Sequence, residues 1–91
     1  MDIQGKSMAG TVESSDCLVY IEPAATLEIE IESVVAKQFG SAIYKAVQEV
    51  LAELHTSQVK VFVKDRGALD CVIKARVETA VRRAVQGGEK Q

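Results

Sequence analysis

The 91-residue chain has no tryptophan and only four other aromatic side chains, 4% of its residues. Its core must therefore be built mainly from valine, isoleucine, leucine and alanine. Platforms for single-stranded nucleic acids need clustered aromatic residues, and Tyr20, Phe39, Tyr44 and Phe62 form no cluster along the sequence. The net charge of −2 also lacks the basic excess that is typical of nucleic-acid binders. The sequence thus predicts no nucleic-acid partner.

The chain also has no apolar run long enough to span a membrane. Its polar start, residues 1–6, does not have the pattern of a signal peptide. We therefore expect a cytoplasmic protein without membrane contact. With one proline and no low-complexity tract, the length supports a single domain over residues 1–91, with flexible ends at residues 1–7 and 87–91.

The chain also has only one histidine and two cysteines. Cys17 and Cys71 have no cysteine or histidine partner at metal-ligand spacing. Both lie in apolar segments, so we expect buried, reduced thiols, although the sequence leaves a disulfide between them open. The one histidine, His55, falls at the predicted end of a helix, where the helix dipole favours a cation. These residues predict no metal site and no catalytic triad.

Other charged and glycine residues also have simple structural interpretations. The six glycines are scattered and form no phosphate-binding loop. Arg82 and Arg83 are interpreted as cations near a helix C-terminus. Alternating Glu28, Glu30 and Glu32 are interpreted as the solvated face of a strand. By elimination, we expect a protein that is not itself an enzyme.

The hydrophobic pattern changes period along the chain and predicts six elements. Alternation predicts strands, and three- and four-residue spacing predicts helices. The predicted strands cover residues 8–13, 16–22, 26–32 and 58–64, and the predicted helices cover residues 39–54 and 68–86. The order β-β-β-α-β-α, with short early links, predicts an α+β fold: a small, largely antiparallel sheet of about four strands with two helices packed on one face.

The same periodicity predicts which side chains are buried. The expected inward positions include Cys17, Val19, Ile21, Leu27, Ile29, Ile31, Val59, Val61 and Val63 on the strands and Phe39, Ile43, Val47, Val50, Leu51, Leu54, Leu69, Val72, Ile73, Val77, Ala80, Val81 and Ala84 on the helices. Gly40, inside the first helix, predicts a close contact between that helix and the sheet. The glutamates of the third strand and the lysines of the fourth are expected to share the other face.

The stretch GTVESSD, residues 10–16, contains two adjacent serines with no histidine, lysine or cysteine beside them to activate a hydroxyl. The simplest interpretation of Ser14 and Ser15 is a hairpin turn. An exposed serine would also suit covalent attachment of a group by another enzyme, because the modifying enzyme then supplies the activating base.

Three separated blocks of sequence resemble the citrate lyase acyl carrier protein family, also called the gamma chain. They are residues 9–16 (AGTVESSD), residues 35–40 (VAKQFG) and residues 65–71 (DRGALDC), followed by Ala75 and Arg76. The blocks occur in the family's order and spacing and cover nearly the whole chain. The neighbours of the serine are predicted strands, which differs from the all-helical common acyl carrier protein.

The resemblance implies that Ser14 carries 2'-(5''-triphosphoribosyl)-3'-dephospho-CoA through a phosphodiester, attached by a holo-protein synthase. The thiol of this group would hold acetyl and citryl thioesters while citrate is cleaved to acetate and oxaloacetate. The implied partners are the citrate lyase alpha chain, an acyl transferase, and the beta chain, a citryl lyase. Ser15 is a chemical competitor for the modification. The alternatives are the delta subunit of malonate decarboxylase, which uses the same group, and a non-catalytic interaction module without one.

Overall fold

The computed structural model describes residues 1–87, which form four strands and two helices. The elements are β1 (Ser7–Gly10), β2 (Cys17–Pro23), β3 (Glu28–Ser33), α1 (Ala36–Glu53), β4 (Val59–Asp65) and α2 (Asp70–Val85). Their order and the α+β class confirm the prediction. Within these residues, neither helix is long and apolar enough to cross a membrane.

The strands form one mixed sheet in the order β1-β2-β4-β3. The β1–β2 and β2–β4 pairs are antiparallel, so the sheet is largely antiparallel as predicted. The β3–β4 pair is parallel, and α1 is the crossover between its two strands. Sequence periodicity did not reveal this parallel pair, because it reports which face of a strand is buried and not which strand lies next to it.

Both helices cover the same face of the sheet and enclose the core. The buried hydrophobic residues are Ala9, Cys17, Val19 and Ile21 from β1 and β2, Val59, Val61 and Val63 from β4, Ile43, Ala46, Val47, Val50 and Leu51 from α1, and Ile73, Val77, Ala80, Val81 and Ala84 from α2. Each fully buried valine, leucine or isoleucine side chain contributes about 1.5–3 kcal/mol. The predicted central strands and helix stripes therefore form the core.

Four residues that were predicted to be buried are exposed, and one predicted close contact is absent. Leu27 precedes β3 and is 42% exposed. Phe39, in the first turn of α1, and Leu69, the N-cap of α2, are exposed at the N-terminal ends of the helices. A Cβ on Gly40 would meet only the Cβ of Ala36, at 3.8 Å, so no sheet atom approaches it closely. Cys71 is exposed, because it lies off the buried stripe of α2.

The opposite face of the sheet carries aromatic and charged side chains. Tyr20 and Phe62 are partners in the β2–β4 register, and their rings stack with centroids 5.9 Å apart. This pair joins two residues that are 42 positions apart in the chain, so the linear sequence could not show it. The Lys60 Nζ atom lies 4.0 Å from Glu30 Oε1, so the prediction that glutamates and lysines share this face is confirmed.

The first residues contact the body of the domain through hydrogen bonds. The amino group of Met1 donates to the carbonyl oxygens of Leu54 and His55, at 3.1 and 2.6 Å. The Ser7 hydroxyl donates to the carbonyl of Ala80 in α2. Flexibility is predicted for both ends, residues 1–7 and 87–91, and residues 88–91 of the second end lie outside the described residues.

Candidate functional site: the serine loop and its surroundings

The strand directions bring three distant segments to one end of the sheet, which we call the serine end. The C-termini of the parallel strands β3 and β4 lie there, and so do the N-termini of the helices that follow them. Cys17, the first residue of β2, pairs with Asp65, the last residue of β4. The connection between β1 and β2, residues 11–16, therefore lies at the same end. We call this connection the serine loop.

Ser14 and Ser15 occupy the centre of a tight turn in the serine loop. The Asp16 N–H donates to the carbonyl of Glu13 at 3.2 Å, which closes the turn. Ser15 has a φ of 65°, the positive value that the second central residue of a type II turn adopts. The hairpin-turn interpretation of the two serines is therefore confirmed.

Backbone hydrogen bonds tie this turn to the connection between β4 and α2. The Ser15 N–H donates to the carbonyl of Arg66 at 2.8 Å. The Arg66 N–H donates in return to the carbonyl of Asp16 at 2.9 Å. The serine loop is thus fixed against a segment about fifty residues away in sequence.

Asp16 is the main polar anchor of the serine loop. Its carboxylate accepts two hydrogen bonds from the Arg76 guanidinium, at 3.0 Å from Nε and 2.9 Å from Nη2. It also accepts from the Thr11 hydroxyl at 2.9 Å and from the Cys17 N–H at 2.7 Å. The Arg76 hydrogen bonds are the largest cause that lowers the pKa of Asp16 below its ordinary value of 3.8. Arg76 is a structural residue of the site that reasoning from local sequence missed.

Gly10 ends β1 and allows the chain to enter the serine loop. Its φ of 101° is in the region that favours glycine. A Cβ at this position would collide with the carbonyl oxygen of Cys17. The start of the loop therefore requires a residue without a side chain.

The Ser14 side chain is exposed at the turn. Within the described residues, the hydrogen bonds of the serine loop run through Thr11, Glu13, Ser15, Asp16 and Cys17, and the Ser14 hydroxyl takes part in none of them. Ser15 is exposed too, but its backbone is held by Arg66 in the left-handed conformation.

Of the histidine and cysteines singled out in the sequence, His55 lies far from Ser14, Cys17 is buried, and Cys71 is exposed in the first turn of α2. His55 follows the C-terminal end of α1, and this 18-residue helix runs about 27 Å away from the serine end. Burial, followed by the charges of Asp16 and Asp65, raises the pKa of the Cys17 thiol to about 11. Among residues 1–87, no group of three His, Cys, Asp or Glu side chains is arranged to hold a metal ion.

The charged residues at the ends of the helices and strands contact protein groups. In the last turn of α2, Arg82 pairs with Glu78 at 2.9 Å and Arg83 donates to the carbonyl of Met8 at 2.8 Å. Arg66 donates to Glu32 at 3.3 Å. These contacts agree with the structural roles predicted for the arginine pair and for the acidic strand face.

An apolar groove of about 500 Å³ lies at the serine end, between the start of α1 and the connection from β4 to α2. It is lined by Val35, Phe39, Ala42, Ile43, Gly67, Ala68, Leu69 and Asp70. The connection that forms one wall is fixed by Asp65, which is buried. The Asp65 carboxylate accepts hydrogen bonds from the Ser33 hydroxyl at 2.7 Å and from the N–H groups of Gly67 and Ala68 at 3.1 and 2.9 Å.

Comparison with known proteins shows the family of the chain. Residues 4–84 match the profile of an acyl carrier protein family described as the malonate decarboxylase delta subunit. The chain is 52% identical over 84 residues to the citrate lyase acyl carrier protein of Treponema denticola, an alignment that covers 92% of this chain and 97% of the relative. It is 47% identical over 93 residues to that of Klebsiella pneumoniae, which covers 100% of this chain and 96% of the relative.

A solved structure has the same fold. One chain of a Pseudomonas malonate decarboxylase hetero-tetramer, crystallised with malonate, superposes with a TM-score of 0.74 at 26% identity. The match covers 87% of this chain and 82% of that chain. It supports the mixed sheet and helix arrangement described above.

The chain therefore belongs to the family of acyl carrier proteins defined by these relatives, and its role is that of an acyl carrier. Citrate lyase acyl carrier protein is the name shared by the relatives that are 47–54% identical to it. The resemblance predicted from the three sequence blocks is confirmed.

Proposed function

We propose that the chain is the acyl carrier subunit of a citrate lyase complex and that Ser14 is the attachment site of its prosthetic group, the phosphoribosyl-dephospho-CoA that is transferred from 2'-(5''-triphosphoribosyl)-3'-dephospho-CoA with release of diphosphate. The observation that carries this proposal is the exposed Ser14 hydroxyl, free of hydrogen bonds within the described residues, on a turn that is fixed from both sides. Identity of 47–54% with citrate lyase acyl carrier proteins supports the complex.

The residues of the serine loop fit such an attachment. A modifying enzyme needs to reach the hydroxyl, and the exposure of Ser14 allows this. The Ser14 oxygen would form a bond to phosphorus as the bond to a diphosphate leaving group breaks, and the hydroxyl proton would pass to a base of the synthase. The pairing of Asp16 with Arg76 leaves one carboxylate fewer to repel the incoming phosphate.

The family resemblance favours Ser14 over Ser15 as the attachment site. The backbone of Ser15 is in the left-handed region, and its N–H donates to the carbonyl of Arg66. Both hydroxyls are exposed, so substitution of each serine in turn is needed to distinguish them.

The chain itself would supply attachment and delivery. When bound, the group supplies the thiol that carries acetyl and citryl thioesters during the cleavage of citrate to acetate and oxaloacetate. The serine loop anchors the group, and attachment gives a high effective concentration at the active sites of the alpha and beta chains. The fixed turn keeps the attachment point in one orientation relative to the surrounding surface.

Intact mass measurement after co-expression with the holo-protein synthase tests the site. The native chain and Ser15→Ala are expected to gain the mass of the group, and Ser14→Ala is expected to gain none. Peptide mapping then assigns the modified residue. A mass gain that survives Ser14→Ala and disappears in Ser15→Ala would overturn the assignment, and no gain in any variant would favour an interaction module without a prosthetic group.

The family profile and the structural neighbour favour one second candidate, the delta subunit of a malonate decarboxylase. The two candidates share the attachment chemistry and differ in partner. Incubation of the modified chain, first acetylated at the thiol of the group, with purified citrate lyase alpha and beta chains, or with the corresponding malonate decarboxylase subunits, distinguishes them. We expect citrate cleavage, and activity with malonate alone would favour the second candidate.

A further inference from the structure

The apolar groove at the serine end has an exposed hydrophobic rim. Phe39 is 53% exposed and Leu69 is 71% exposed, although both are large apolar side chains. Val34, beside the groove residue Val35, is 66% exposed. Large apolar side chains that are clustered and exposed commonly mark a binding surface. The volume of the groove, about 500 Å³, is in the range of small-molecule sites.

The groove lies close to the proposed attachment point. The Ser15 N–H is 2.8 Å from the carbonyl oxygen of Arg66. Leu69 follows Arg66 by three residues, so their Cα atoms are at most about 11 Å apart. A long flexible group on Ser14 would therefore reach the groove without any movement of the domain.

We propose that this groove binds the uncharged, thiol-bearing end of the group attached at Ser14 while the carrier is away from its partners. The inference rests on the proposed function, because it needs the group to be attached. The apolar lining suits methylene and amide segments. It offers few polar groups to offset the hydration that a carboxylate would lose on entering the groove. The groove thus selects the uncharged form of the group and disfavours forms that end in a carboxylate.

The tether makes weak binding sufficient. A group held by a short flexible connection has an effective concentration in the millimolar range at a nearby site. A groove with millimolar affinity would therefore be occupied for about half of the time. This argument favours the attached group over a free ligand or a second copy of the chain, which would have to bind from dilute solution.

The experiment compares unmodified and modified protein by NMR in a Cys71→Ser background, which removes the exposed protein thiol. Intact mass first establishes that the group is attached. The thiol of the group is then left free, carboxamidomethylated with iodoacetamide or carboxymethylated with iodoacetate. These two adducts have nearly the same size and differ in charge.

We expect the Phe39 ring and Leu69 methyl signals to shift on attachment of the group. The shift should persist with the carboxamidomethyl adduct and decrease with the carboxymethyl adduct. In Leu69→Ser, the Phe39 shift should disappear, and the thiol of the group should alkylate up to about twofold faster, because the groove no longer covers it for about half of the time. The matched control is Leu27→Ser, also an exposed leucine, at the start of β3 and so at the other end of the sheet.

Several outcomes would overturn the proposal. One is unchanged Phe39 and Leu69 signals in protein whose mass shows full attachment. Another is equal alkylation rates in the native, Leu69→Ser and Leu27→Ser proteins. Shifts that appear only on addition of the alpha chain would identify the groove as a surface for that partner. Absence of the mass gain itself would contradict the proposed function instead, so the two failures are distinguishable.

Discussion

Asp16 accepts four hydrogen bonds in the serine loop, two of them from Arg76, which is 60 residues away along the chain. The Asp16 side chain is 16% exposed, so solvent screens this pair less than an ion pair on the open surface. The planar guanidinium meets both carboxylate oxygens, which adds geometric specificity to the charge pairing. At the scale of single residues, Asp16 determines the shape in which the two serines are presented.

Asp16→Asn is expected to reduce the free energy of unfolding by about 1–2 kcal/mol at neutral pH, because it removes the charge and one accepting oxygen. The folded pKa of Asp16 is lowered, so its contribution is present above the ordinary value of 3.8 and is lost as the pH falls through the folded pKa. The difference between native and variant should therefore shrink below about pH 4. Denaturant unfolding at several pH values measures it.

The control for Asp16→Asn is Glu78→Gln, which removes an ion pair with Arg82 whose partners are about half exposed. A change within about 0.5 kcal/mol is expected, because exposed pairs contribute little. Equal effects of the two variants, or a difference for Asp16→Asn that does not depend on pH, would contradict the role given to Asp16.

Single residues also show where sequence reasoning ends. The family resemblance predicts Ser14 as the attachment site, and alternation identified the buried face of Cys17, Val19 and Ile21. Arg76 could not be connected to Asp16, because the contact depends on the folded positions of β2 and α2. Phe39 and Leu69 fit the helical period but are exposed. A period gives the direction of a side chain around the helix axis and not whether another element lies beneath it.

At the scale of elements, the turn from β4 into α2 depends on Asp65. Its buried carboxylate accepts hydrogen bonds from Ser33 in β3 and from the N–H groups of Gly67 and Ala68. One side chain thus joins the ends of two parallel strands to the start of a helix. The sequence shows Asp65 only as the first residue of the block DRGALDC, because the pairing of β3 with β4 is needed to bring Ser33 beside it.

Asp65→Asn is expected to reduce the free energy of unfolding by about 2–4 kcal/mol, because an amide nitrogen would face backbone donors in a buried position. Ser33→Ala is the matched variant, since it leaves the two hydrogen bonds from the backbone to Asp65. It removes the bond from the Ser33 hydroxyl to Asp65 and the one that this hydroxyl accepts from the Val35 N–H. About 1–2 kcal/mol is expected for it. Thermal or denaturant unfolding gives both values, and a smaller loss for Asp65→Asn than for Ser33→Ala would show that Asp65 does not organise the turn.

At the scale of the whole molecule, one face of the sheet is covered by both helices and the other carries the Tyr20–Phe62 stack. The periodic patterns predicted the covered face and most of its core. They did not predict the parallel β3–β4 pair, from which the serine end follows, because local patterns contain no information on strand order. The two cysteines differ in their exposure to solvent: Cys17 is fully buried, and Cys71 is exposed.

Alkylation of the native protein is therefore expected to label Cys71 rapidly and Cys17 at least about a hundredfold more slowly, because Cys17 becomes accessible only in rare opened states. Burial also raises the pKa of Cys17 to about 11, which lowers its thiolate fraction at neutral pH. Intact mass over time measures both rates. Cys71→Ser should remove the rapid phase, and in denaturant the native sequence should gain two adducts. Similar rates for both thiols in the folded protein would contradict the prediction and would show that the start of β2 opens locally.

The dependence of the serine loop on Arg66 and Arg76 has a consequence for protein engineering. A short peptide copied from residues 10–16 would contain both serines and Asp16, but none of the partners that bend the chain around them. Such a peptide would therefore be a poor attachment tag for fusion to other proteins. A portable unit that keeps the shape of the proposed attachment point must include β1, β2, β4 and α2, and these elements extend along the chain from Ser7 to Val85.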